Sequence, residues 1–330
     1  MPPTAPLKDA TFNRRLLLTA GALGAGLIGT AGPARLAAAA DAADFAVSTL
    51  ELWPGAPSGL LNKALAESSP ATGTPPMRRT SGVTRPRLDI YRPKTPNGAA
   101  MLIIPGGGYR IVSIDNEGHM IARFLAEAGI TAFILTYRLP AEGWAKASDV
   151  PLMDAQRAMR LIRAHAADYA IDPARVGVMG FSAGGHLCTS LATRSEAKVY
   201  EAIDAADALS ARAALFAAIY PVVSMRPGVT HQGSHDNLIG TTPDEATTAL
   251  YSTDEQVTAQ TPPAFILHAE DDKTVPVENA LRLRAALKAA GVTVETHLYP
   301  KGGHGFGLRS PDVPWGPLFL RFARAQGLFT

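Results

Sequence analysis

Ser182 stands in the run Gly180-Phe181-Ser182-Ala183-Gly184-Gly185. This G-x-S-x-G pattern lifts a serine hydroxyl onto a sharp strand-to-helix turn. Residues 176–179 are apolar, as a buried strand requires, and 183–192 continue with a helical pattern. So tight a turn demands small neighbours, and it holds the hydroxyl at the positive end of the following helix. The five-residue pattern alone arises often by chance. A strand before it and a helix after it make it much rarer, so it is read as a nucleophile elbow and not as an ordinary glycine-rich turn.

A serine hydroxyl is a poor nucleophile until a base takes its proton, so a histidine and an orienting carboxylate must accompany it. In the α/β-hydrolase order both follow the serine, acid first. The run His268-Ala269-Glu270-Asp271-Asp272-Lys273-Thr274-Val275-Pro276 leaves an apolar strand at 264–268. It places three competing carboxylates in a strand-end loop. Asp272 is taken as the acid, with Glu270 and Asp271 left to cap or to face solvent. Further on, Gly302-Gly303-His304-Gly305-Phe306 follows a strand at 292–298. A histidine between glycines is placed for access, and His304 is the expected base. Acyl transfer also puts negative charge on a carbonyl oxygen, and donors must already be aimed there. Ile104-Pro105-Gly106-Gly107-Gly108-Tyr109 follows an early strand, and its glycines allow backbone N–H groups to approach a substrate closely. The amide of Ala183, next after the nucleophile, is the other donor.

Other reactive residue types carry plainer readings. His186 lies one helical turn beyond Ser182 and runs along the same helix, so it packs or supports and does not act as the base. His231 and His235 have an i, i+4 spacing, but Gly233 lies between them and no helix is evident, so no metal site is read there. Cys188 is the single cysteine and sits in an apolar helical run, which excludes an intrachain disulfide and points to a buried inert thiol. No cofactor or metal is expected.

The elements that must hold these residues alternate along the chain. Strands are expected at 83–91, 100–104, 130–137, 176–179, 213–220, 264–268 and 292–298, with helices at 117–128, 151–169, 183–192, 277–290 and 317–325. That alternation predicts a doubly wound, mostly parallel sheet flanked by helices. Residues 53–81 are rich in Pro, Gly, Ser and Thr and are expected to lie irregularly over the domain. Residues 224–260 interrupt the alternation as a short insertion above the strand ends, where open α/β sheets bind substrate. Within it, Thr242-Pro243-Asp244-Glu245 has the form of a helix start capped by Thr242.

Composition sets the remaining bounds. Apolar residues at 47% and charged residues at 18% describe a globular chain of 330 residues. Residues 1–40 hold four of the 31 basic residues and one of the 29 acids, so the body has a net charge of −1 and no electrostatic case for nucleic acid. In that first stretch Arg14-Arg15 precede Leu16-Leu17-Leu18, a weakly apolar glycine-rich run and the tract Ala37-Ala38-Ala39-Ala40. The pattern resembles a twin-arginine export signal, with residues 41–330 as a single mature domain in the periplasm or outside a bacterial cell. The alternative is a retained anchor, but the five glycines between 21 and 32 make a poor spanning helix. No stable membrane insertion is expected once the leader is removed.

From Trp53-Pro54-Gly55 to about Gly307 the chain resembles α/β-hydrolase esterases related to acetyl and acetylxylan esterases, with kin among lipases of the hormone-sensitive type. The resemblance is carried by Pro105-Gly106-Gly107-Gly108-Tyr109-Arg110, Asn116-Glu117-Gly118, Tyr137-Arg138-Leu139, the elbow, and Tyr299-Pro300 before Gly303-His304-Gly305. It implies an α/β-hydrolase fold, Asp272 as the acid, and oxyanion donors at Gly107, Gly108 and Ala183. The lipase-like relatives have histidine where this chain has Pro105, which points away from a long-chain lipase. Some relatives are called xylanases, but the opposed carboxylate pair of glycosidic cleavage is not evident here. The expected activity is hydrolysis of short acyl esters, chiefly acetyl, on plant-type carbohydrate such as acetylated xylan or its oligomers. An exopeptidase, or a hydrolase-fold binding protein without chemistry, is the alternative. Tyr109 and Glu117, with Trp144 and the insertion, are candidates to line the substrate pocket, a structural role being the open alternative for each.

Overall fold

The computed structural model describes residues 45–329, so the expected leader at 1–40 lies outside the described residues. The strands in chain order are β1 (Ala46–Glu51), β2 (Ala71–Thr72), β3 (Met77–Arg78), β4 (Arg87–Arg92), β5 (Ala100–Ile104), β6 (Thr131–Thr136), β7 (Val176–Phe181), β8 (Phe216–Ile219), β9 (Ala264–Ala269) and β10 (Val294–Tyr299). The helices are α1 (Met120–Glu127), α2 (Val150–Ala164), α3 (Ala183–Thr193), α4 (Gln232–Ile239), α5 (Glu245–Tyr251), α6 (Glu278–Ala289) and α7 (Gly316–Ala325).

Eight strands form one sheet in the order β1-β4-β6-β5-β7-β8-β9-β10. From β6 to β10 all neighbours are parallel, whereas β4 runs antiparallel to β6 and to β1. Strands β5 to β9 are buried at every residue, because helices cover the sheet on both faces. Helix α1 packs along β6, α3 along β7 and β8, and α6 along β9 and β10. On α7 the rings of Phe319 and Phe322 each meet Phe265 of β9 at 5.7 Å between centroids. Burying a phenylalanine in this way is worth roughly 1.5–3 kcal/mol. The doubly wound α/β-hydrolase architecture read from the sequence is the one present.

Strand order reverses at β5, which has β6 on one side and the later β7 on the other. A crevice opens outside the carboxyl ends of strands at such a switch point. Ile104 and Gly180 are register partners there. The glycine loop that leaves β5 and the serine turn that leaves β7 are therefore neighbours.

Several local expectations are corrected. β1 is not among the expected strands, since its short alternating run carries little apolar bulk. The helix expected at 117–128 begins at Met120, after a π-helical turn over Asp115–His119. Residues 53–81 include the small ribbon of β2 and β3, paired Ala71 to Arg78. In the insertion, the cap of α5 is Asp244, whose carboxylate accepts the Thr247 amide at 2.7 Å, and not Thr242. Pro243 thus lies ahead of the helix. A helix does span His235: α4 starts after His231, which caps it through the Ser234 amide. A glycine in the first turn does not prevent it.

Candidate active site

Ser182 sits between β7 and α3 with φ 53° and ψ −121°, a left-handed conformation that costs about 1–3 kcal/mol in a residue other than glycine. The surroundings enforce it. Its amide donates to Ile219 O at 3.0 Å, and its carbonyl accepts from Val222 N at 3.0 Å. Gly184 has room for no side chain, because a Cβ there would strike the carbonyl oxygens of Ile104 and Pro105. The turn is thereby pressed against the end of β5.

His304 Nε2 lies 2.8 Å from Ser182 Oγ, and His304 Nδ1 lies 2.6 Å from Asp272 Oδ2. Asp272 Oδ1 accepts the amides of Thr274 and Val275 at 2.8 and 3.0 Å. The buried His268 brings Nε2 within 3.3 Å of Asp272 Oδ2 and 3.0 Å of Val275 O. Burial opposes the charge on Asp272. Hydrogen bonds from His268, His304 and the Val275 amide outweigh it and hold the carboxyl well below the usual carboxylate range. Of the competing acids, Asp271 accepts the Gly303 amide at 2.8 Å and so shapes the His304 loop, while Glu270 is exposed.

The glycine loop faces this line. Gly107 has φ 131°, and a Cβ on it would collide with the Ile111 carbonyl oxygen. Among the described residues, the amides of Gly107, Gly108 and Ala183 donate to no protein acceptor. Gly106 differs: its amide donates to Glu117 Oε2 at 2.8 Å. Together the parts can deprotonate a hydroxyl, orient the base that does so, and offer N–H groups to a nearby developing oxyanion.

Of the pocket candidates, Tyr109 and Trp144 lie outside the groove lining and Glu117 lies within it. Tyr109 is only 1% exposed, and its hydroxyl donates to His186 Nδ1 at 2.7 Å, so it anchors the glycine loop from beneath. Its backbone turns at φ 57°, so its side chain lies in the core while Gly108 and Arg110 on either side line the groove. Glu117 reaches the groove wall but is 4% exposed, with one oxygen on Gly106 N and the other accepting from the Tyr220 hydroxyl at 2.8 Å. Burial raises its pKa against the pull of Tyr220 and Gly106. It braces the loop, with each oxygen engaged by a protein donor. Trp144 is buried under the Arg138 guanidinium, 5.0 Å from its ring centre, and does not line the groove.

His186 is a support. Its Nε2 must donate to the Tyr251 carbonyl at 2.7 Å, which leaves Nδ1 to accept from Tyr109. Burial pushes its pKa down to about 4. Cys188 is buried against Ala217 O, and burial raises its thiol pKa, so it stays protonated. His231 bonds Ser234 and His235 bonds Asp236, each through Nδ1 at 2.8 Å.

Residues that sequence reasoning passed over complete the site. Tyr220 stacks edge-on against His304 at 5.0 Å and Phe306 at 4.6 Å, and its hydroxyl accepts the Gly307 amide while donating to Glu117. A strand-end tyrosine before Pro221 is the sole trace of it in the sequence. Asn237 of α4 donates to Gly108 O at 2.8 Å, a contact with no local signature. The groove over Ser182 encloses about 960 Å³, with the β2–β3 ribbon and α4 among its walls.

The BD-FAE family matches residues 88–287. The chain is 36% identical to an acetylxylan esterase of Xylanibacter ruminicola over 225 residues, 67% of this chain and 44% of that protein. It is also 36% identical to endo-1,4-beta-xylanase B of Butyrivibrio fibrisolvens, over 62% of this chain and 32% of that protein. It therefore spans less than half the length of these two relatives. Among solved structures, an acetyl ester-xyloside bifunctional hydrolase from Caldicellulosiruptor lactoaceticus superposes with a TM-score of 0.73 at 32% identity, covering 86% of this chain and 97% of that one.

Proposed function

Because the chain belongs to the BD-FAE family of α/β-hydrolase esterases, we propose that it is a serine esterase acting on short acyl, chiefly acetyl, esters of plant-type carbohydrate such as acetylated xylan or its oligomers. The supporting observation is the unbroken hydrogen-bonded line Asp272–His304–Ser182 beside three unused amides. Ser182 Oγ attacks the acetyl carbonyl carbon as His304 Nε2 takes its proton. The carbonyl oxygen becomes an oxyanion held by the amides of Gly107, Gly108 and Ala183. His304 then protonates the sugar oxygen, the C–O bond breaks, and the acetyl group stays on Ser182. Water, deprotonated by the same nitrogen, attacks this acyl-enzyme, the bond to Ser182 Oγ breaks as His304 Nε2 returns the proton to it, and acetate leaves. Asp272 keeps the Nδ1 proton in place and stabilises the imidazolium of each half-reaction.

The Arg14-Arg15 leader supports export by the twin-arginine route, removal near the alanine tract, and work in the periplasm or outside the cell. Among the described residues no helix is long and apolar enough to cross a membrane.

The test is acetate release from acetylated xylan, pectin, chitin and simple sugar esters. Release from the xylan oligomers, with p-nitrophenyl acetate preferred over the octanoate, is the expected result. Octanoate preferred over acetate, or no release from any carbohydrate, overturns the proposal.

A further inference from the structure

Three arginine side chains with no ion pair among the described residues line the groove above Ser182. Arg79 follows β3, Arg110 follows the glycine loop, and Arg309 lies five residues beyond His304. All three are exposed, and among the described residues none of their guanidinium groups bonds to the protein. Three further arginines are used differently. Arg78, beside Arg79, holds Asp115 at 2.6 Å. Arg138 holds Asp154 at 2.8 Å with both side chains buried, and Arg226 holds Glu245 and Glu255.

The acids lining the same groove are already engaged. Glu117 is taken up by Gly106 and Tyr220, and Asp236 by Gln232 at 2.7 Å and His235 at 2.8 Å. The wall thus sets carboxylates engaged by the protein beside guanidinium forks open to solvent. Bulk charge does not explain this, because the body outside residues 1–40 has a net charge of −1. A guanidinium fork matches a carboxylate with two parallel hydrogen bonds. A groove of about 960 Å³ is also far larger than an acetyl group needs, so the alcohol side of the ester must fill it.

We propose that the preferred substrate carries a carboxylate on its alcohol side near the scissile acetyl group. It is an acetylated oligosaccharide bearing a uronic acid, whose carboxylate meets Arg79, Arg110 and Arg309 while Ser182 meets the acetyl carbonyl. This rests on the carbohydrate-esterase reading above and names the substrate class of that same site.

The experiment measures kcat/KM for acetate release from three matched acetylated xylo-oligosaccharides: neutral, bearing a glucuronic acid, and bearing its methyl ester. At low salt the free acid is expected to exceed both others by about tenfold, each exposed arginine contributing up to about fivefold. That advantage shrinks as ionic strength rises from about 0.01 M to about 1 M and the screening length falls from about 30 Å to about 3 Å. In the triple variant Arg79→Gln, Arg110→Gln, Arg309→Gln the ratio of acid to neutral substrate drops to about one. The salt series on the wild-type protein tests the same charge contact should the triple variant not fold. Equal rates on the acid and neutral substrates overturn this inference alone. So does a preference that neither salt nor the triple variant alters. Acetate released from none of the three removes the carbohydrate-esterase reading, and the inference with it.

Discussion

Replacing Asp272 by Asn separates the geometry of the buried acid from its charge. Asp272 Oδ1 accepts two backbone amides, from Thr274 and Val275, so an asparagine must keep its oxygen on that side. Its NH2 then occupies the place of Oδ2, 2.6 Å from His304 Nδ1 and 3.3 Å from His268 Nε2. A donor now faces Nδ1, and the imidazole relieves the conflict by moving its proton to Nε2. That is the atom 2.8 Å from Ser182 Oγ, and it is left with no lone pair to receive the serine proton. Loss of the working tautomer costs about ten-thousandfold in kcat. At about 1.36 kcal/mol per decade this is about 5.5 kcal/mol of barrier. Initial rates on p-nitrophenyl acetate, with circular dichroism to show that the variant is folded, measure it. A folded variant keeping more than about a tenth of wild-type kcat would refute the tautomer argument.

Ser182→Ala removes the nucleophile, and turnover of p-nitrophenyl acetate should fall by about a millionfold with labelling by a fluorophosphonate probe abolished; retained labelling would move the nucleophile elsewhere. Gly107→Ala forces a Cβ onto the Ile111 carbonyl at a φ of 131° and should lower kcat by about a hundred- to a thousandfold through the displaced amide. An unchanged kcat would exclude that amide from the oxyanion site. His186, its pKa pushed down to about 4 by burial, takes up a proton more readily in the unfolded chain, where histidine titrates near about 6.5. The stability it contributes is whole above about pH 6.5 and is lost as pH falls toward about 4, amounting to about 3 kcal/mol. Urea unfolding between these pH values should show a flatter loss in His186→Gln than in wild type, and equal slopes would count against the neutral buried histidine.

Where chemistry is set by short-range pattern, the chain is readable from its residues. The apolar run into Gly180, the helix after Ala183 and the glycines about His304 each specify their own backbone, and the acid needs only a strand end to stand on. The all-buried strands β5 to β9 announce themselves for the same reason, because burial on both faces leaves a continuous apolar run. β1 has exposed residues at an edge and makes no such run. Tyr109 and Glu117 look like substrate contacts because they flank the glycine loop in sequence. Their true partners, His186 and Tyr220, are 77 and 103 residues away and follow from the crossover at β5. A buried polar group is placed by whichever partner satisfies it, and the partner belongs to another element. The same holds for α4, whose cap His231 is an unusual choice and whose contact with the loop has no sequence period.

The hydrogen bond from Asn237 to the Gly108 carbonyl makes the insertion more than a wall of the groove. Helix α4 lines the groove with Asp236 and Asn237 and also holds the carbonyl of Gly108, the residue whose own amide is a proposed oxyanion donor. Under the proposed function, selectivity and rate are therefore not separable modules in this protein. A graft that exchanges residues 224–260 for the corresponding loop of a relative, to transplant its preference among sugars, must bring an amide donor to position 237. Without it, the transplanted recognition arrives on a loosened loop, and the recipient acquires a new appetite with a slower hand.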